Sequence, residues 1–186
     1  MVEKTNCIQK LLQLDEKYSA RLVIAEKPSL LRNVLVFLGH SCDSWYWLIG
    51  LALLWLFGNG SLRNLAAFWI FGLVLLAVWV LMMKFLIRRR RPEGEWGQIY
   101  RVTDPHSFPS GHAARAMAIA VMASEVGAGW LVAGLGVWAI LVGISRVSLK
   151  LHYISDILVG GLLGLISGWV ALAIHPAVSA LFPGLF

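Results

Sequence analysis

Apolar residues in this chain run in long stretches, with the polar ones gathered into short segments between them. The start is different. Over residues 1–31, Ile8, Leu11, Leu12, Leu14, Leu22, Val23 and Ile24 alternate with Lys10, Asp15, Glu16, Lys17 and Arg21. That period predicts a helix lying on a membrane surface. Pro28 breaks it, and the following Ser29-Leu-Leu-Arg-Asn-Val-Leu-Val-Phe-Leu predicts a second short interfacial or partly inserted helix. Glu26, Lys27 and Arg32 argue against a full span there. Five spanning segments are expected after it, at about 44–58, 63–87, 111–127, 129–146 and 154–175. The first is short enough to need its flanks to cross. Gly58-Asn-Gly-Ser and Gly127-Ala-Gly mark tight turns, and roughly 88–110 is the long polar loop.

Composition turns this pattern into a class. The 186 residues are 59% hydrophobic and 14% charged, with a mean hydropathy of +0.74. A soluble domain carries about a quarter charged residues. The expectation is an all-α integral membrane protein: a bundle of about five transmembrane helices in 44–186, preceded by amphipathic surface helices in 1–43. The opening Met-Val-Glu-Lys-Thr-Asn-Cys lacks the basic start and apolar middle of a cleavable signal peptide. The net charge of +6 reads as an orientation signal that touches anionic head groups, with no nucleic-acid partner expected. Cys7 and Cys42 have no metal-ligand spacing. Gly160, Gly164 and Gly168 share one face of the last segment, a pattern for close helix packing, with homodimerisation as the alternative. Trp45, Trp47, Trp55 and Trp130, near segment ends, suit interface anchors.

Three polar stretches carry the chemistry: Lys84-x6-Arg91-Pro92, Pro109-Ser110-Gly111-His112 and Ser145-Arg146-x5-His152-x3-Asp156. Helix ends alternate sides, so the end of the second span, the start of the third, the end of the fourth and the start of the fifth meet at one membrane face. Lys84 and Arg91, about two turns apart, are expected on one helix face, offering an ammonium and a planar fork to phosphate oxygens. Ser110 and Gly111 open a helix, where free amides attract an anion. His152 and Asp156 stack one turn apart, so the carboxylate can hold one imidazole nitrogen protonated and leave the other to attack phosphorus. Each residue taken singly also has a plain structural reading, as a snorkelling lysine, a cap or an interfacial histidine.

The order and spacing of all three stretches resemble the type 2 phosphatidic acid phosphatase (PAP2) superfamily, which also includes glucose-6-phosphatase and the vanadium haloperoxidases. The resemblance covers residues 84–156 and implies roles. His152 would be the nucleophile, forming a phosphohistidine, and Asp156 would orient it. His112 would protonate the leaving oxygen and then activate water. Lys84, Arg91, Ser110, the Gly111 amide and Arg146 would hold the phosphoryl oxygens. No metal or other cofactor is implied. Bacterial relatives commonly have six spans, so this chain departs from them at its start.

Of the sixteen Lys and Arg residues, fifteen fall on the side of the three stretches and Arg63 opposite. By the positive-inside rule the site faces the cytoplasm, in a protein of the cell membrane. A site at the bilayer surface suits a phosphate monoester or diphosphate on a lipid, such as phosphatidate, phosphatidylglycerol phosphate or an isoprenyl or polyprenyl phosphate. Trp96, Tyr100, Arg101 and His106 are candidates for shaping the head-group entrance, against the alternative of an ordinary wet loop. The alternative functions are a lipid phosphotransferase using the same phosphohistidine, a vanadate-type haloperoxidase relative, and a non-catalytic lipid-phosphate binder.

Overall fold

The computed structural model describes residues 7–24, 28–94 and 104–186, so Glu26, Lys27, Trp96, Tyr100 and Arg101 lie outside the described residues. The described chain is helical throughout, apart from one isolated bridge between Arg90 and His106. Two short helices come first, α1 (Cys7–Arg21) and α2 (Leu30–His40), on either side of Pro28. Then follow α3 (Ser44–Phe57), α4 (Gly60–Ile87), α5 (Gly111–Met122, continued by a 3₁₀ turn Ala123–Val126), α6 (Gly129–Ser148) and α7 (Ile154–Leu181).

Three of the five expected spans, α4, α6 and α7, are long and apolar enough to cross a bilayer. At 28 residues, α4 and α7 each reach about 42 Å, beyond the roughly 30 Å hydrocarbon core. Pro176, where the last span was expected to end, lies inside α7. The other two are shorter. α3 has 14 residues, and α5 has 12 before its 3₁₀ turn. The length of α5 has a physical reason. It is enclosed by α4, α6 and α7, with Ala113, Ala114, Ala116, Ala118 and Ala120 all buried. A helix surrounded by protein need not match the lipid.

The glycine stripe of α7 builds this enclosure. A Cβ on Gly160 would fall 2.5 Å from the Ser110 carbonyl oxygen, and one on Gly164 would fall 2.1 Å from that of Ala114. On Gly168 it would meet the Val121 side chain at 2.8 Å. The stripe is therefore filled by α5 of the same chain. Its upper end brings the Ser110 segment against the start of α7, where Ser110 N donates to the Asp156 carbonyl at 3.0 Å. Outward faces of the long helices carry exposed Val78, Trp79, Leu81, Ile140, Leu158, Leu162 and Trp169, as a lipid-facing surface requires. Trp47 is no interface anchor: it packs on Trp69 and Trp138, and its Nε1 donates to the Ser41 carbonyl.

The N-terminal region is fastened to the bundle. Asp15 and Ser19 of α1 accept from the backbone amides of Ser155 and Ile154, capping the first turn of α7 at 3.1 and 2.9 Å. Ile24 N donates to Ser148 O at the end of α6. Gly39, late in α2, lies over Ser145 and Arg146, with its Cβ position 3.3 and 3.4 Å from their side chains.

Candidate active site

The three polar stretches do meet, at the end of the bundle formed by the close of α4 and α6 and the openings of α5 and α7. Lys84, Arg91, Ser110, Arg146, His152 and Asp156 are all buried there. Lys84 and Arg91 do not share a helix face as expected. α4 stops at Ile87 because Arg88 takes a left-handed conformation (φ 50°, ψ 36°), and Arg91, preceding Pro92, is disfavoured from helix. The chain instead doubles back. Arg90 bridges His106, and Ser107 N donates to Arg89 O at 2.9 Å. This turn knits the first motif to the approach of the second.

Both cations converge on Asp104, a residue outside all three motifs. Lys84 Nζ donates to its carboxylate and, at 3.1 Å, to the His106 carbonyl. Arg91 donates through Nη2 to Asp104 Oδ2 at 2.9 Å and through Nε to the Asp104 carbonyl at 2.8 Å. Burial works against the Asp104 charge, but Lys84 and Arg91 outweigh it and hold its carboxyl below the ordinary range. One carboxylate oxygen thus accepts from two cations of the kind that bind phosphate oxygens.

His152 sits beside this cradle. Its Nε2 lies 3.1 Å from Arg91 Nη1, and because guanidinium only donates, Nε2 is the acceptor and bears the lone pair. Nδ1 then carries the proton and faces Asp156 Oδ2 at 3.4 Å. Burial, followed by the charges of Arg91, Arg146 and Lys84, pushes His152 well below the usual histidine range, so the ring is neutral. Asp156 is held in turn by the Tyr153 amide at 2.9 Å and by Arg89 Nη1 at 2.9 Å. Arg89 also reaches Asp15 of α1 at 2.8 Å and lies over the Tyr153 ring at 3.9 Å.

Ser110 caps α5, its Oγ accepting from Ala113 N at 3.4 Å. His112, in the first turn of that helix, donates through Nε2 to Asp43 Oδ1 at 2.7 Å. The buried Arg146 charge acts on both His112 and His152, and its carbonyl accepts from the His152 amide. Among the described residues no group of three or more His, Cys, Asp or Glu side chains is disposed to hold a metal ion. The positive charge is that of guanidinium and ammonium groups.

Two cavities flank the cluster. One, of about 480 Å³, includes Arg90, Arg91, Lys150 and His152 in its wall beside Val23 and Val147. The other, of about 370 Å³, has Lys84, Asp104, His112 and Arg115 at one end and Leu73, Leu76, Ala77 and Val80 of α4 along its length. His106 lines this second cavity, while its carbonyl serves Lys84.

Sequence reasoning missed Asp43, Asp104, Arg89 and Asp15. A signal for the three carboxylates existed in the charge balance. Buried cations require buried anions, and three motif cations were matched by Asp156 alone.

The model of the PAP2 superfamily matches residues 65–179. The fold is similar to the crystal structure of the first transmembrane PAP2-type phosphatidylglycerolphosphate phosphatase from Bacillus subtilis, with a TM-score of 0.73 and 24% identity over 91% of this chain and 88% of that one. It is also similar to LpxE of Aquifex aeolicus, with a TM-score of 0.63 and 24% identity over 93% of this chain and 99% of that one.

Proposed function

The chain belongs to the PAP2 superfamily, and we propose that this multi-pass membrane protein is a phosphatase that hydrolyses a lipid phosphate through a phosphohistidine. The observation that carries the lipid assignment is the second cavity. Its head holds Lys84, His112 and Arg115, and its wall is the apolar face of a membrane-spanning helix. A phosphoryl group in the cradle would have its ester oxygen towards His112 and its hydrocarbon along Leu76 and Val80. Metal-free chemistry suits the cluster, because three cations stabilise the charge that develops on phosphorus.

In the first step the lone pair of His152 Nε2 attacks phosphorus, with the Nδ1 proton held towards Asp156. The P–O bond breaks, and His112 gives a proton to the leaving oxygen. In the second step His112 takes a proton from water, whose oxygen attacks phosphorus. The P–N bond breaks, and His152 regains its lone pair. The fold neighbour named as a phosphatidylglycerolphosphate phosphatase makes that lipid a first substrate to try, beside phosphatidate and isoprenyl mono- and diphosphates.

The reading also sets the site on the cytoplasmic side. Ile24 and Gly39 lie against the site end of α6 and α1 caps the opening of α7, which keeps the cations of α1 with the site, and Arg63 stands at the other end. Labelling of a single Cys placed in loop 93–107, with Cys7 and Cys42 replaced, should need permeabilised cells. The reaction is tested by phosphate release from these lipids in detergent, with His152→Ala as the blank. A short quench with ³²P-labelled substrate should trap an acid-labile, base-stable phosphoprotein. Release from none of the lipids, or equal release by the variant, overturns the reading. Label appearing on a second lipid or sugar instead of free phosphate points to phosphotransfer.

A further inference from the structure

The turn between α2 and α3 carries a carboxylate that no motif contains. Asp43 stands at the N-cap of α3, yet its side chain makes no cap hydrogen bond. It turns away from the helix it begins, and its two oxygens accept from His112 Nε2 at 2.7 Å and His40 Nδ1 at 2.9 Å. The Asp43 and His112 side chains are 17% and 15% exposed, enough enclosure for a charge-assisted bond to keep its strength. Burial opposes the Asp43 charge, but the bonds from His112 and His40 outweigh it and hold the carboxyl down at about 2.

The turn is fixed from several sides. Arg115, one turn beyond His112 on α5, donates to the Cys42 carbonyl, and Cys42 Sγ donates to the His112 carbonyl at 3.5 Å. From α6, Trp138 Nε1 donates to Ser41 Oγ at 2.9 Å, and from α3, Trp47 Nε1 donates to Ser41 O at 3.0 Å. His112 and Asp43 are therefore held together by the same contacts. With Nε2 committed to a carboxylate, Nδ1 is the nitrogen left for a reacting oxygen.

We propose that Asp43 is the positioning residue of the acid–base histidine, clamping His112 Nε2–H so that Nδ1 gives and takes the proton of the reaction. The assignment rests on the phosphatase reading above. Asp43 transfers no proton. It fixes the ring and stabilises the imidazolium that precedes leaving-group departure and forms again when water is activated. In the first step the proton moves from His112 Nδ1 to the leaving oxygen as the P–O bond breaks and the bond from His152 Nε2 to phosphorus forms. In the second it moves from water to Nδ1 as the P–N bond breaks. The chain thus contains two His–Asp pairs, one for the nucleophile and one for the acid.

The test compares leaving groups in the full-length protein in detergent. p-Nitrophenyl phosphate expels a stable phenolate and needs little protonation, whereas dodecyl phosphate expels an alkoxide and needs it fully. In Asp43→Asn, rapid quench should show phosphoenzyme formation from dodecyl phosphate slowed about 100-fold. The nitrophenolate burst should stay within about threefold of wild type, followed by slow turnover because the second step also needs the base. Equal slowing of both substrates, as a purely structural clamp would give, overturns the proposal, and so does no slowing of either. Should Asp43→Asn fail to fold, the same ratio is read in Asp43→Glu, where a displaced carboxylate slows the alkyl substrate alone if the proposal holds. If wild type turns over neither substrate, the phosphatase reading itself has failed.

Discussion

The two histidine–aspartate pairs of this protein are built in opposite ways. His152 and Asp156 stand four residues apart at the opening of α7, 3.4 Å from each other, with the ring wholly buried among cations. His112 and Asp43 are 69 residues apart, join two helices, and meet at 2.7 Å. The difference matches the work assigned to each. A nucleophile must be neutral with its lone pair on the attacking nitrogen, and burial together with the charges of Arg91, Arg146 and Lys84 secures that. An acid–base group must hold a proton and take it back; burial and the Arg146 charge push His112 down, and the hydrogen bond to the Asp43 carboxylate works against them.

Removing each histidine gives the largest separation between the pairs. His152→Ala should lower turnover by at least about four orders of magnitude on every substrate, since no group replaces its lone pair. His112→Ala should cost about 10²–10⁴-fold on an alkyl phosphate and far less in the burst with p-nitrophenyl phosphate. Equal losses on both substrates in both variants would mean that the pairs do not divide the work this way. Rapid-quench rates measure it.

The charge around the nucleophile makes a pH prediction of definite sign. With His152 depressed, the ring stays neutral as pH falls through the usual histidine range, and the attacking form is lost only further down. Arg91→Gln removes the largest of the neighbouring charges that depress it. The acid limb of phosphoenzyme formation, normalised to each protein's plateau, should then move to higher pH relative to wild type on the same substrate. A limb that stays put, or moves down, would refute the electrostatic account. Asp43 adds no limb of its own above pH 4, because it stays ionised there.

The same contrast explains what could be read from the sequence. Long apolar runs gave α4, α6 and α7, because matching the bilayer leaves a signature in composition. α5 was expected as a span of 111–127 but is a 12-residue buried helix, since enclosure by protein leaves the same apolar signature as lipid. Among site residues, those tied by helical spacing or a helix end were legible: His152 with Asp156, and Ser110 as a cap. Those joined only by tertiary structure were not. Asp43, Asp104 and Asp15 sit in loops or on a surface helix, and their partners lie 69, 20 and 74 residues away. No period marks such residues. Arg89 was passed over as one of four consecutive arginines, though the turn after Arg88 is what aims it at Asp156.

Arg89 supplies the next smaller effect. It donates to Asp156 at 2.9 Å and to Asp15 at 2.8 Å, and so ties the orienting carboxylate to the surface helix α1. Arg89→Gln leaves Asp156 with the Tyr153 amide and the Ser107 hydroxyl and without its cation. It should lower kcat about tenfold with KM within about twofold, because the loss bears on the nucleophile's orientation and not on substrate binding. A rise in KM at constant kcat would instead place Arg89 in substrate binding. Asp15→Asn, one contact further out, should show the same pattern more weakly.

The smallest effect expected concerns Asp104, and it bears on the region between the two pairs. Its Oδ2 accepts from both Lys84 and Arg91, the cations assigned to the phosphoryl group. An entering phosphate oxygen has to share these donors or displace the carboxylate, and it meets that carboxylate's charge in a partly enclosed space. Asp104→Asn keeps the shape and removes the charge. Competitive inhibition by inorganic phosphate and by orthovanadate should tighten by roughly three- to tenfold, the scale of one partly screened charge repulsion. Weaker inhibition would mean that Asp104 serves the cradle by holding Lys84 and Arg91 in position, and that an anion binds beside it without replacing it.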